Sequence, residues 1–174
     1  TAQGNQDGNS IGDFYYAPPT GYLALCTSNL PAVAEGLWDS GVNKHFNTVE
    51  WAGNGSTQAI TGVGFQPDYV WTKETTLDAR ASHCSFDVLR GVNKPLGTDD
   101  HGGQAESQSD LLTAFGADGF SLGANAGGKS VNRSSDTYVA WNWKAGGSGS
   151  ANTAGDMAET VTVSANVDAG FSIV

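Results

Sequence analysis

Turn-forming residues interrupt this chain so often that long helices are hard to accommodate. The sequence contains 24 glycines, and turn signals such as Gly53-Asn54-Gly55 separate short runs of β-branched and aromatic residues. No window of about 11 residues or more keeps a helical period of apolar positions. The sequence therefore predicts an all-β fold, a jelly-roll or concanavalin-like antiparallel β-sandwich of short strands with long polar loops.

The clearest alternating segment lies near residue 140. Over 137–144 the sequence TYVAWNWK places Val139, Trp141 and Trp143 on one face of a strand. This face either packs into the sandwich core, where aromatic side chains contribute much of the buried area, or is exposed and stacks on sugars. We expect Trp141 and Trp143 to face the core. The aromatic residues expected to serve as scaffold are Trp51, Trp71, Trp141 and Trp143.

The charge balance and the short apolar runs argue against two classes of partner. The chain has 8 basic and 18 acidic side chains and a formal net charge of −10 at pH 7, whereas a nucleic-acid-binding surface needs clustered Lys and Arg. The longest apolar run is only a few residues, too short to span a bilayer. We therefore expect neither nucleic acid nor a membrane as a partner. The 39% of hydrophobic residues are enough for a packed core.

The cysteines and the chain ends give weaker signals. Cys26 and Cys84 are too few for a disulfide scaffold, and we interpret them as two separate small hydrophobic side chains rather than as a bridge. The chain begins at Thr1 without a signal-peptide pattern and ends in the strand-like run 171–174, so both ends are expected to be cut from something longer. The similarity of 171–174 to 46–49 suggests a repeat, or a strand edge that a neighbouring subunit completes.

One loop is the strongest candidate for metal or acid–base chemistry. Asp99-Asp100-His101 places two carboxylates and an imidazole beside two glycines. Adjacent carboxylates point in different directions on an extended chain, and the pattern lacks the alternating ligands and terminal Glu of a calcium loop. The sequence has no H-E-x-x-H or C-x-x-C motif, and its 18 acidic residues nominate no particular glycosidase pair. We expect no metal, no other cofactor and no enzymatic activity.

The exposed variable surface is expected on two polar loops, residues 74–83 and 92–109, because loops on a rigid scaffold commonly carry specificity. Aromatic runs at 14–16 and 22–26 predict two short strands near the start of the chain, and 145–155 has the Gly/Ser-rich composition of a flexible linker. The residues expected to contact a ligand are five side chains of the two polar loops: Asp78, Arg80, Asp99, Asp100 and His101.

Several motifs resemble a domain of unknown function that is common in tailed-phage virion proteins. The most specific are GVGFQPD at 62–68 and YVAWNWKAGG at 138–147. Residues 12–26 resemble the C-terminal end of a SPRY-like β-sandwich that often precedes this domain, and 163–174 resemble the lead into a following repeat. The parts that the resemblance implies are a C-terminal segment of a SPRY-like sandwich at 1–31, a connector at 32–45, a β-sandwich domain at 46–145, and a Gly/Ser linker with the start of a further strand or repeat at 146–174.

The resemblance also implies a function and a location. A member of this group is expected to be a structural protein of the virion, as a fibre, tail or capsid-surface module that acts in assembly and in adhesion to a host surface. It implies other copies of the chain as partners, in an oligomer such as a trimer, together with other virion proteins and a cell-surface glycan. Two alternatives stay open: a carbohydrate-binding module of a secreted bacterial protein, and a filament subunit that pairs through its terminal strand, 171–174.

Overall fold

The computed structural model describes residues 4–24, 26, 29, 44–76, 83–99, 108–124, 131–156 and 159–174. The chain divides into two compact units, residues 1–39 and 40–174. Among the described residues, no α-helix is suited to crossing a lipid bilayer. The strands of the second unit are β1 (Phe46–Ala52), β2 (Gln58–Ile60), β3 (Tyr69–Glu74), β4 (Cys84–Asp87), β5 (Leu96–Gly97), β6 (Leu112–Gly116), β7 (Gly119–Leu122), β8 (Thr137–Trp143), β9 (Ser150–Asn152), β10 (Val161–Asn166) and β11 (Phe171–Ile173).

The second unit is an antiparallel β-sandwich. Its larger sheet has five strands in the order β1-β8-β3-β4-β5, and the sheet that packs on it has three strands in the order β2-β7-β6. A third sheet has the order β11-β10-β9. Every strand pair in the described part of the chain is antiparallel, which confirms the prediction of an all-β antiparallel sandwich.

Alternation along the central strands builds the core. In β8, Tyr138 and Ala140 are buried while their neighbours along the strand are partly exposed, as the two-residue period of a strand requires. The ring of Trp51 stacks on Tyr138 at 5.4 Å between centroids and meets Phe120 of β7 edge-on at 5.6 Å. Cys84 is buried in the same cluster. The core therefore lies between the five-stranded sheet and the β2-β7-β6 sheet.

A fully buried asparagine ties together the loops at one end of the sandwich. The Nδ2 group of Asn132 donates to the carbonyls of Ser56 at 2.6 Å and Gly123 at 2.9 Å. Its Oδ1 accepts a hydrogen bond from the backbone N–H of Asn54 at 3.1 Å. Because a buried amide is costly unless it is hydrogen-bonded, these contacts fix the three loops relative to one another.

The GVGF part of the 62–68 motif forms a turn that Asp118 holds. Gly62 and Gly64 have φ angles of +90° and +85°, which glycine adopts without steric cost. Gly64 donates its N–H to Oδ1 of Asp118 at 2.6 Å, and Gly62 donates to Oδ2 at 3.1 Å. The hydrogen bond from Gly64, and then that from Gly62, lower the pKa of the Asp118 carboxyl.

At the other end of the motif, Asp68 fastens the third sheet to the sandwich. Asp68 is buried, and its Oδ2 accepts hydrogen bonds from the backbone N–H groups of Ala145 at 2.8 Å and Gly147 at 3.1 Å. Between them, Gly146 donates to the hydroxyl of Ser164 on β10 at 2.9 Å. These bonds direct the chain that leaves β8 towards β9 and β10.

The segment that composition predicts to be a flexible linker, 145–155, contains a strand. Ser150–Asn152 form β9 and pair with β10. The glycines of this segment serve close packing: a Cβ at Gly146 would collide with the backbone of Ala165, and Gly149 has a φ of +75°. The structure therefore differs from the prediction because glycine content does not distinguish close approach from flexibility.

The first unit also differs from the sequence prediction. Its described residues contain an isolated β-bridge between Asn5 and Phe14, and the described parts of 14–16 and 22–26 form no strand. Tyr15 and Tyr16 are 65% and 79% exposed. Short aromatic runs gain little as strands when no neighbouring strand pairs with them.

Asp7 organises the described part of the first unit. Its Oδ1 accepts hydrogen bonds from the backbone N–H groups of Asn9 and Ile11, both at 2.9 Å. Its Oδ2 accepts from the backbone of Ala24 at 2.8 Å and from Nδ2 of Asn29 at 2.6 Å. The bond from Ala24 has the largest effect, and together these donors lower the pKa of Asp7 to about 2 against the opposing effect of burial.

Acid is expected to loosen this unit. Since folding lowers the pKa of Asp7 from 3.8 to about 2, its contribution to stability is complete above about pH 4 and is lost as the pH falls towards 2. In an NMR titration, the amide signals of Ile11 and Ala24 should shift and broaden across that window. Asp7→Asn should remove this transition, and a transition that persists in the variant would contradict the assignment.

Candidate functional site

The tryptophans of β8 lie on the face of the five-stranded sheet that points away from the core. Val139, Trp141 and Trp143 are partly exposed, whereas Tyr138 and Ala140 are buried in the core. The expectation that Trp141 and Trp143 face the core is therefore wrong. The alternation itself is as predicted, but the smaller sheet packs on the other set of side chains. We call the surface that carries the two tryptophans the outer face.

Strand register brings two tryptophans side by side on the outer face. Residues directly opposite each other in an antiparallel pair point to the same side, and Trp71 of β3 is opposite Trp141 of β8. Their ring centroids are 5.3 Å apart and the rings are inclined by 42°. Thr48 of β1 and Ser85 of β4 continue the row on either side. We call Trp71 and Trp141 the tryptophan pair.

Hydrogen bonds fix the ring of Trp71. Its Nε1 donates to Oγ1 of Thr98 at 2.9 Å. Thr98 donates in turn to the carbonyl of His83, from its hydroxyl at 3.3 Å and from its backbone N–H at 2.9 Å. The imidazole of His83 lies 6.4 Å from the Trp71 ring, between centroids. Because the ring is held before any ligand arrives, binding to it costs less conformational entropy.

The third sheet covers one end of the outer face. Phe171 of β11 stacks on Trp143 at 6.1 Å and meets Tyr69 edge-on at 6.3 Å, both between ring centroids. Phe46 of β1 also packs against Trp143, at 4.9 Å. Within the part of the chain that the structure describes, these ring contacts stop short of the tryptophan pair. Trp143 therefore belongs to a packed aromatic cluster, while the pair lies beyond it.

The opposite end of the outer face is polar. Val139 of β8 is flanked by Glu50 of β1 and Lys73 of β3 in the next row of the register. Glu50 is exposed, and Nζ of Lys73 donates to the carbonyl of Glu74 at 3.0 Å. The row supplies one carboxylate and one ammonium group beside the tryptophan pair. Such a surface can stack on an apolar ligand face and bond polar groups at its edge.

The charged loop residues predicted to bind a ligand are mostly not described. Asp99 is exposed and directly follows Thr98, the residue that holds Trp71. Within the described ranges, no group of three or more His, Cys, Asp or Glu side chains is arranged to hold a metal ion. The predicted residues that lie outside the described residues are Asp78, Arg80, Asp100 and His101.

Sequence reasoning missed the juxtaposition that forms the site. The segments of β3 and β8 are far apart in the chain, and only the strand order makes Trp71 and Trp141 neighbours. A usable signal was present, since both segments carry two aromatic residues at alternate positions, Tyr69 with Trp71 and Trp141 with Trp143. Trp51, by contrast, is 8% exposed and belongs to the core.

Sequence reasoning also overlooked two short motif matches, and neither has the structural context it needs. Residues 123–130 read G-x-x-x-x-G-K-S, a phosphate-binding spacing, although 125–130 lie outside the described residues. That motif requires a helix directly after it, but 131–136 form bends and turns that lead into β8. Residues 8–12 read G-x-S-x-G, which requires a strand-to-helix turn, and they form neither element.

Removing the Thr98 hydroxyl is expected to release the ring of Trp71. In Thr98→Val the indole loses its acceptor, while the free energy of unfolding falls by no more than about 1 kcal/mol, because the bond is exposed. In NMR spectra of nitrogen-labelled protein, the Trp71 indole N–H should exchange faster with water. The Trp51 indole is the internal control, since it donates to the Val131 carbonyl at 3.2 Å. Unchanged exchange at Trp71 would show that Thr98 does not hold the ring.

Comparison with known proteins identifies a family without assigning an activity. No curated protein and no solved structure matches the chain. Residues 41–174 match the family model of a domain of unknown function, DUF7483. The matched range includes all strands of the sandwich and of the third sheet. The chain therefore belongs to the DUF7483 family, through the unit that carries the outer face.

Proposed function

We propose that the second unit is an adhesion module that binds carbohydrate through the tryptophan pair. The observation that carries this proposal is the position of Trp71 and Trp141, side by side on the face of the sheet that points away from the core. Adjacent, partly exposed aromatic rings can bury the apolar C–H face of a sugar ring. The role requires no catalytic step, and we propose none.

The setting that we propose is the surface of a phage virion, as a fibre, tail or capsid module. The support for this setting is the resemblance of the GVGFQPD and YVAWNWKAGG motifs to virion proteins. In that setting the chain acts with other copies of itself and with other virion proteins. Its role there is structural and, through the outer face, adhesive.

A bound sugar would use both parts of the exposed outer face. Its ring would lie on the tryptophan pair, whose Trp71 indole is already fixed by Thr98. Its hydroxyl groups would reach Glu50 as an acceptor and Lys73 as a donor in the adjoining row. Stacking then supplies most of the binding free energy, and the polar row sets the orientation of the sugar.

Affinity for a surface would come from repetition. A shallow site with two rings buries little ligand area, so one copy binds a short glycan weakly. Several copies in one symmetric assembly engage a glycan-coated surface together, which raises the effective affinity without any new contact. A weak single site is therefore compatible with firm attachment.

Truncating one member of the tryptophan pair should weaken glycan binding strongly without unfolding the protein. Trp141→Ala removes half of the stacking surface from the outer face and leaves the core side of β8 unchanged. On a glycan array, the native protein should bind at least one class of glycan, and Trp141→Ala should lose that binding by about tenfold or more. Tyr22→Ala is the matched control, because Tyr22 is 70% exposed and lies outside the second unit. Equal binding by Trp141→Ala, with unchanged thermal unfolding, would refute the site.

The virion setting has its own test. Antibodies against the second unit should label intact phage particles in electron micrographs, and the chain should be recovered from purified particles by mass spectrometry. A carbohydrate-binding module of a secreted bacterial protein would instead be found in the culture supernatant, free of particles. That result would refute the virion setting and leave the glycan site standing.

A further inference from the structure

A cavity lies where the third sheet meets the five-stranded sheet. Its volume is about 520 Å³, within the range of roughly 300–1,000 Å³ for small-molecule sites. Leu89 and Leu96 line it on one side, and Val161 of β10 and Ile173 of β11 line it on the other. We call it the seam cavity. These aliphatic walls suit an apolar group of a ligand.

The polar part of the wall is an ion pair. Asp87 and Arg90 both line the seam cavity, and Nε of Arg90 donates to Oδ2 of Asp87 at 2.5 Å. Nη2 of Arg90 donates to the carbonyl of Ser85 at 3.2 Å. Its Nη1 is buried and has no hydrogen-bond partner among the described residues. The wall therefore carries no net charge and combines a guanidinium, which donates hydrogen bonds, with a carboxylate, which accepts them.

The seam cavity adjoins the tryptophan pair. Tyr69, which lines the cavity, is two residues before Trp71 on the same face of β3. In the register, Leu96 is opposite Ser85, and Ser85 is opposite Trp71. A ring stacked on Trp71 therefore has the cavity beside it, on the side of β4 and β5.

We infer that the seam cavity receives the acetamido group of an N-acetylated hexosamine whose ring stacks on the tryptophan pair. This inference rests on the proposed glycan-binding function and names its ligand class. The methyl group fits between the aliphatic side chains of Leu96 and Val161, which lie on opposite walls. The amide carbonyl accepts a hydrogen bond from the Arg90 guanidinium, and the amide N–H donates to the carboxylate of Asp87, since both side chains line the cavity.

Other substituents fit the cavity less well. A purely apolar group would offer no hydrogen-bond partner to the Asp87 carboxylate and the Arg90 guanidinium. A carboxylate or sulfate would face Asp87 in a chain whose formal net charge is −10. A neutral amide has a methyl group, a donor and an acceptor together, which matches the three kinds of group on the wall.

Paired oligosaccharides test the inference. Calorimetric titration would compare short oligomers of N-acetylglucosamine and of glucose with the same linkage and length, and the corresponding pair built on galactose. In at least one pair, the native protein should bind the N-acetylated member about tenfold or more tightly, because the acetamido group bonds to both Arg90 and Asp87 and buries a methyl group. Equal affinities within both pairs would overturn the acetamido site while leaving the glycan platform in place.

Variants separate this site from the platform. Leu96→Trp and, from the opposite wall, Val161→Phe fill the seam cavity, and each should remove the preference for the N-acetylated member while retaining the affinity for the parent sugar. Trp141→Ala should weaken binding of both members equally. A preference that persists in a folded cavity-filling variant would overturn the inference. Failure of the native protein to bind any of the four oligomers would overturn the inference; only a glycan array without any bound glycan would overturn the proposed function as well.

Discussion

The hydrogen bonds of the Asp68 carboxylate position the third sheet, which covers one end of the outer face. The carboxylate binds the backbone immediately after β8, at Ala145 and Gly147, and so directs the chain into the third sheet. That sheet brings Phe171 onto Trp143 and Tyr69. The same sheet forms one side of the seam cavity, through Val161 and Ile173. A buried acidic side chain, together with the bond from Gly146 to Ser164, thus helps to determine which aromatic residues the third sheet covers.

Local patterns in the sequence were sufficient for the fold class and for most strands. The alternation in 137–143 and the turn signal at 53–55 both reflect backbone geometry that nearby residues decide. The assignment of the tryptophan face failed for a different reason. Alternation separates the two faces of a strand, but which face is buried depends on the sheet that packs against it, and the partner Phe120 lies on another strand. Large aromatic side chains are commonly buried, which favours the prediction that the tryptophans face the core. In this strand the buried position between the two tryptophans is instead occupied by the polar residue Asn142.

The sequence predicts the type of candidate site, aromatic residues on a strand, but not which of these residues lie side by side. Aromatic residues on a strand were recognised as a possible sugar platform, yet their pairing needs the strand order β8-β3, which no local pattern contains. The supporting contact from Thr98 to Trp71 spans 27 positions and has the same character. The seam cavity depends on the third sheet. Its strand β9 lies within 145–155, whose Gly/Ser-rich composition predicts a flexible linker instead of a strand.

The strand order also determines when the sandwich can form during synthesis. β8 lies between β1 and β3 in the five-stranded sheet, and it is the last of the five strands to be translated. The other four strands, β1, β3, β4 and β5, are therefore synthesised before β8 can join them. Until then β1 has no neighbour, and one edge of β3 is open to pairing with another nascent chain. Contacts between residues so distant in the chain form slowly. The five-stranded sheet is therefore completed late, and until then its open strand edges can pair with those of neighbouring nascent chains.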